Sequence, residues 1–106
     1  MTEATYSDRR NATSPEQHIM LESGRISVSM DGKLQRAIAF NEINEVRLGV
    51  EMAGRDSQVV CRIIARDGTQ IVFGSRSWKS VGHWENQADR FRKINTALHR
   101  ALIPHA

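Results

Sequence analysis

From His18 the texture of the chain changes, and short apolar runs with strand-like spacing begin. In Arg25-Ile26-Ser27-Val28-Ser29-Met30, the residues Ile26, Val28 and Met30 share one face, which predicts a half-buried strand. Upstream, Ile19, Met20 and Leu21 begin a strand that ends in a turn at Ser23-Gly24. Downstream, Asp31-Gly32 supplies the positive-φ residues of a type I′ turn and predicts a hairpin. Residues 34–40 return as the next strand, with Ile38 and Phe40 pointing inward. Asn41-Glu42 forms a corner, and the spacing of Ile43 and Val46 predicts a short helical turn there. Val46, Leu48 and Val50 then alternate with Arg47 and Gly49. After a loop at Ala53-Gly54-Arg55-Asp56, the β-branched run over residues 58–65 predicts a long strand. Asp67-Gly68 predicts a second hairpin, completed by residues 69–73 with Ile71 and Phe73 on one face.

Beyond a polar connection over residues 75–83, the period changes. Trp84, Ala88, Phe91, Ile94, Leu98, Ala101 and Leu102 fall at steps of three and four, one apolar stripe on a helix. Glu85, Asp89, Arg90, Arg92, Lys93, His99 and Arg100 occupy the other face, acids first and bases last, as the helix dipole favours. Pro104 marks the stop.

Residues 1–16 are polar and read as a mostly flexible arm, with an edge strand through Tyr6 over residues 4–9 as the alternative. Residues 17–103 read as one α+β domain: an antiparallel β-barrel or sandwich of six or seven strands, capped by one C-terminal amphipathic helix. A length of 106 residues fits one domain, and 40% apolar residues suffice for one modest core. A net charge of +3 permits contact with an anionic surface without demanding it. The dense Lys/Arg stripe of a nucleic-acid binder is missing. Cys61 is the only cysteine, which excludes a disulfide within the chain, and its place in a strand-like run predicts a small buried hydrophobe. With no apolar leader and no run of membrane-spanning length, the expectation is a cytoplasmic protein, working in solution or at the inner face of the membrane.

The strand over residues 24–30, the segment Ala37-Ile38-Ala39-Phe40-Asn41-Glu42-Ile43-Asn44-Glu45-Val46-Arg47-Leu48 and the Asp67-Gly68 hairpin together resemble bacterial pleckstrin-homology-like domains. The segment Ser75-Arg76-Ser77-Trp78-Lys79-Ser80 and the final helix are similar to a version found at the N-terminus of bacterial membrane proteins, where transmembrane helices follow. The resemblance covers about residues 20–102. No membrane segment precedes Ala106, so a stand-alone relative or a domain cut from a longer protein is expected. The resemblance implies a binding scaffold for phospholipid headgroups, peptides or partner domains. Lipid-binding members cluster basic residues in the loop between the first two strands. The nearest counterparts here are Lys33 and Arg36, short of the fuller basic signature, so no phosphoinositide site is carried over.

No motif assembles catalytic chemistry. The four histidines His18, His83, His99 and His105 show no metal-ligand spacing; His83 with Glu85 or Asp89 reads as a polar first turn. Cys61 and the serines 75, 77 and 80 lack a base and an orienting group. No glycine-rich phosphate loop is present. The expectation is therefore a non-enzymatic domain with no catalytic residue, metal or cofactor, binding a protein partner or a second copy of itself. Peripheral binding to an anionic membrane is the alternative; nucleic acid is disfavoured. Candidate contact residues are Lys33, Arg36, Arg76, Trp78 and Lys79. Trp84 is expected in the core with the helix stripe. Arg47, Arg62 and Arg66 read as a basic, solvated sheet face.

Overall fold

A computed structural model describes residues 2–53 and 55–103; Gly54 of the expected loop, the stop at Pro104 and His105 lie outside the described residues. Among the described residues, nine strands in three antiparallel sheets precede one helix. In the first sheet β1 (Thr2–Asp8), β2 (Gln17–Glu22), β3 (Arg25–Met30) and β4 (Lys33–Ala39) lie side by side in chain order. A 3-10 turn, Phe40–Glu42, leads to the second sheet, β5 (Ile43–Ala53), β6 (Asp56–Ala65) and β7 (Gln70–Gly74). β8 (Arg76–Ser80) and β9 (His83–Asn86) form a two-stranded ribbon that feeds the helix α1 (Ala88–Leu102).

The α+β class and the C-terminal helix are as expected, but the strands are more numerous and the sheets do not close into a barrel. Asp31 (φ 52°) and Gly32 (φ 75°) both take positive φ, the geometry a type I′ hairpin needs. The helical turn expected at Ile43 and Val46 sits one step earlier, and Ile43 already begins β5. Instead of a flexible arm, the chain opens with β1, paired to β2 from Thr2↔Glu22 to Asp8↔Gln17. Its inward positions are Ala4, Tyr6 and Asp8, so a single large apolar side chain carries the alternation and the strand signal is faint.

The polar connection over residues 75–83 is instead largely the ribbon, turned at Gly82 (φ 75°). Trp84 belongs to β9, half-buried and opposite Trp78, and not to the helix stripe. The helix begins four residues later because Asn86 Oδ1 accepts the Ala88 N–H at 2.9 Å, a local bond that competes with an earlier start. Ala88, at the first turn, is exposed; beyond it the stripe holds, with Phe91, Ile94 and Leu98 buried and Ala101 and Leu102 packed at the margin.

Tyr6, Phe73 and Phe91 meet at the centre of the core, with ring centroids 5.6–6.0 Å apart. One ring comes from the first sheet, one from the second and one from α1, so this triad joins those three elements of the core. Side chains replace a backbone ladder along the free edge of β7. Alternate carbonyls there take donors from the first sheet: Arg36 on Gln70 O (2.9 Å), Gln17 on Val72 O (2.6 Å) and the Tyr6 hydroxyl on Gly74 O. Asp8 accepts the Gly74 N–H. Backbone groups taken out of water need partners, and this seam supplies them without closing the barrel.

Candidate interaction surface

The structure places the basic residues singled out in the sequence on two strands, β4 and β8. Lys33 is exposed at the start of β4, just after the hairpin turn. Arg36 spends its guanidinium on Gln70 O. Arg76 donates from Nε to Ser57 O at 3.0 Å and lies 3.8 Å from Asp56. Lys79 pairs with Glu85 across the ribbon at 3.0 Å. Trp78 is half-buried, its ring under the Arg9 guanidinium at 4.8 Å and its backbone N–H donating to Arg9 O at 2.8 Å. That stacking makes Trp78 a clamp holding the ribbon to the chain just after β1. Lys33 and Arg36 thus lie on β4 and Arg76, Trp78 and Lys79 on β8, and every one but Lys33 is engaged by a partner within the chain.

The basic sheet face is partly neutralised as well. Arg47 pairs with Glu45 at 2.8 Å, and Arg62 with Glu51 at 3.2 Å, while Arg66 is exposed. Among the described residues no three His, Cys, Asp or Glu side chains gather into a metal-holding group. No described helix is long and apolar enough to cross a membrane. A cleft of about 440 Å³ opens at the start of α1, lined by Asn86, Gln87, Ala88, Asp89 and Arg90. Asn86 already caps a free helix N–H there and Asp89 adds negative charge, which opposes anion capture.

The buried titratable groups Asp8, Tyr6 and Cys61 are committed to the fold. Asp8 is 1% exposed and accepts from Gln17 Nε2 (2.7 Å) and the Gly74 N–H (2.9 Å), with Arg10 at 3.6 Å. Burial pushes its carboxyl above the usual carboxylate range, against these three donors. The Tyr6 hydroxyl, pushed up to about 12 by burial, also takes a hydrogen bond from Gln87 Nε2. The Cys61 thiol is fully buried and likewise pushed up to about 12 by burial, which leaves it inert as a nucleophile.

The feature that stands out is β5. In the sheet order β5-β6-β7 it is an edge strand of 11 residues. All six residues from Arg47 to Met52 are exposed, so the strand projects past the core. On one face Leu48, Val50 and Met52 follow Val46, with Val59 of β6 opposite Val50. Register puts this face in line with buried Cys61 and Phe73, so the apolar surface of the core runs outward uncovered. Val50 is 74% and Met52 67% exposed. The opposite face carries Arg47, Gly49 and Glu51. Among the described residues no other element bonds to the backbone of this stretch beyond β6, whereas the β7 and β1 edges are met by side chains. Proteins usually blunt such an edge with lysine, proline or a bulge; here the one irregularity lies earlier, between Ile43 and Glu45.

Alternation marked Val46, Leu48 and Val50 as one strand face, but their exposure depends on how far the core reaches, which spacing does not encode. Comparison with known protein families, with curated proteins and with solved structures finds no match to this chain.

Proposed function

We propose that this is a non-enzymatic interaction domain of pleckstrin-homology-like architecture that docks a protein partner on the open edge of β5 and its apolar face. The architecture is supported by four strands followed by three in two antiparallel sheets, with a helix last. The docking reading rests on one observation: six consecutive exposed residues on a strand that is paired along one edge alone and whose apolar side continues the core. An exposed strand edge recruits an extended segment through backbone hydrogen bonds, and side-chain pockets add selectivity. An anionic membrane is favoured less, because Arg36, Arg47, Arg62, Arg76 and Lys79 already bind acceptors of the same chain. A single reduced cysteine suits work in the cytoplasm.

A photo-crosslinking residue placed at position 50 in cells, with position 93 on the outer face of α1 as control, tests this. Protein adducts from position 50 and none from position 93 are expected. No adduct at 50, or equal adducts at both, overturns the reading.

A further inference from the structure

We infer that the occupant of the β5 edge is a second copy of this chain, paired antiparallel about Gly49; the inference rests on the docking surface proposed above. β5 is self-complementary about that residue. With Gly49 facing Gly49 across a two-fold axis, each residue meets the one equally far on the other side. Leu48 then faces Val50 of the second copy, and Val46 faces Met52, all on the apolar side of the sheet. On the other side Arg47 faces Glu51, and the symmetry repeats that pair. Moving the axis to Leu48 sets Glu45 against Glu51. Moving it to Val50 leaves Arg47 opposite Ala53 and forfeits both ion pairs. A slip by one residue of register brings the apolar face of one copy onto the charged face of the other.

The centre is also sterically open. A Cβ built on Gly49 meets nothing within 4 Å. Arg47 and Glu51 are exposed in their present pairs, so redirecting them across the axis costs little. The product is one continuous sheet, β7-β6-β5-β5-β6-β7, with no free β5 edge.

Light scattering, unfolding and cysteine crosslinking together test the pairing. Light scattering on the purified chain should give about twice the 12.0 kDa of one copy at high concentration. Val50→Lys should raise the dissociation constant at least about tenfold, while the unfolding curve taken at concentrations where both proteins are monomeric stays unchanged. Gly49→Cys should form a reducible bond between copies on mild oxidation, because directly opposed strand residues lie about 4.5–5.5 Å apart at Cα, within disulfide reach. Glu45→Cys, remote from the axis, should not. A monomer at every concentration, a dimer indifferent to Val50→Lys, or equal crosslinking at positions 45 and 49 overturns the inference. If the chain is monomeric yet position 50 crosslinks to a different protein in cells, the docking surface stands and self-pairing falls. If neither occurs, both fall.

Discussion

The carboxylate of Asp8 on β1 accepts the backbone N–H of Gly74 on β7 at 2.9 Å, a bond between strands of different sheets. A closed barrel would join such strands by a ladder. Here an acid does part of that work from a site that disfavours its own charge. The same carboxylate holds the Gln17 amide, which in turn donates to Val72 O, so one side chain ties three strands.

Because burial raises the Asp8 pKa, the folded state binds this proton more tightly than the unfolded chain. Stability from this group is fully present below the unfolded value of about 3.9 and is lost as pH rises through the raised folded value. Asp8→Asn removes the titration. The stability of the wild type relative to Asp8→Asn should therefore grow as pH falls from 7 toward 4. Urea unfolding of both proteins at several pH values reads it out. The exposed acids Asp67 and Glu85, whose pKa values are lowered, cancel in the difference. A difference independent of pH contradicts the assignment.

Gly74→Ala should destabilise by about 1 kcal/mol, the net worth of the side-chain hydrogen bond that has to give way over this position. Its Cβ would land on the Arg10 guanidinium and the Gln58 side-chain carbonyl, which are bonded to each other over this position. Gly49→Ala meets open space and should stay within about 0.5 kcal/mol of the wild type. Equal losses at the two glycines in thermal unfolding would count against this view of the seam.

The strands of the first sheet after β1 and the β6–β7 hairpin are legible in the sequence, because alternating apolar residues or a flanking Asp-Gly turn mark each of them, even β4, where Ile38 alone is buried. Ile26, Val28, Ile63 and Ile71 are buried where alternation puts them. The Asp31-Gly32 turn is legible because its chemistry dictates its φ angles. The ribbon is not, since Trp84 stands four residues before Ala88 and imitates the helical period by coincidence. Gly82 is the local signal that could have marked its turn. The seam is illegible for a deeper reason: Tyr6 and Gly74 meet across 68 residues of chain, through polar side chains that no periodicity picks out. The candidate surface is half legible. The apolar face of β5 can be read off, but its lack of cover is a property of the assembled fold.

Cys61 should behave as a reporter of unfolding. Its side chain is fully buried, and burial pushes its pKa to about 12, so both access and thiolate are withheld. A disulfide reagent at pH 8 should leave the native protein unmodified over a time in which the urea-unfolded chain reacts completely. The modification rate should rise with urea in step with the unfolded fraction. Rapid reaction of the native protein would show that the β6 core opens locally.

Asn95→Leu should stabilise the domain. Asn95 lies on the buried side of α1, 8% exposed, between Ile94 and Leu98 in the stripe. Its Nδ2 donates to Phe91 O at 2.9 Å, a carbonyl that the helix ladder already serves. Its Oδ1 is buried without a partner, the one such side-chain atom among the described residues. Folding thus strips water from an acceptor and gives nothing in return, a cost of about 1–3 kcal/mol. Leucine has nearly the same shape, places no polar atom there and suits the helix better. A gain of about 1 kcal/mol is expected, because the Nδ2 bond is forfeited and the added apolar atoms must be fitted. Asn95→Asp should do the opposite, burying a charge and losing the donor. Urea unfolding at constant slope measures both. If Asn95→Leu is as destabilising as Asn95→Asp, the Oδ1 has a partner in solution.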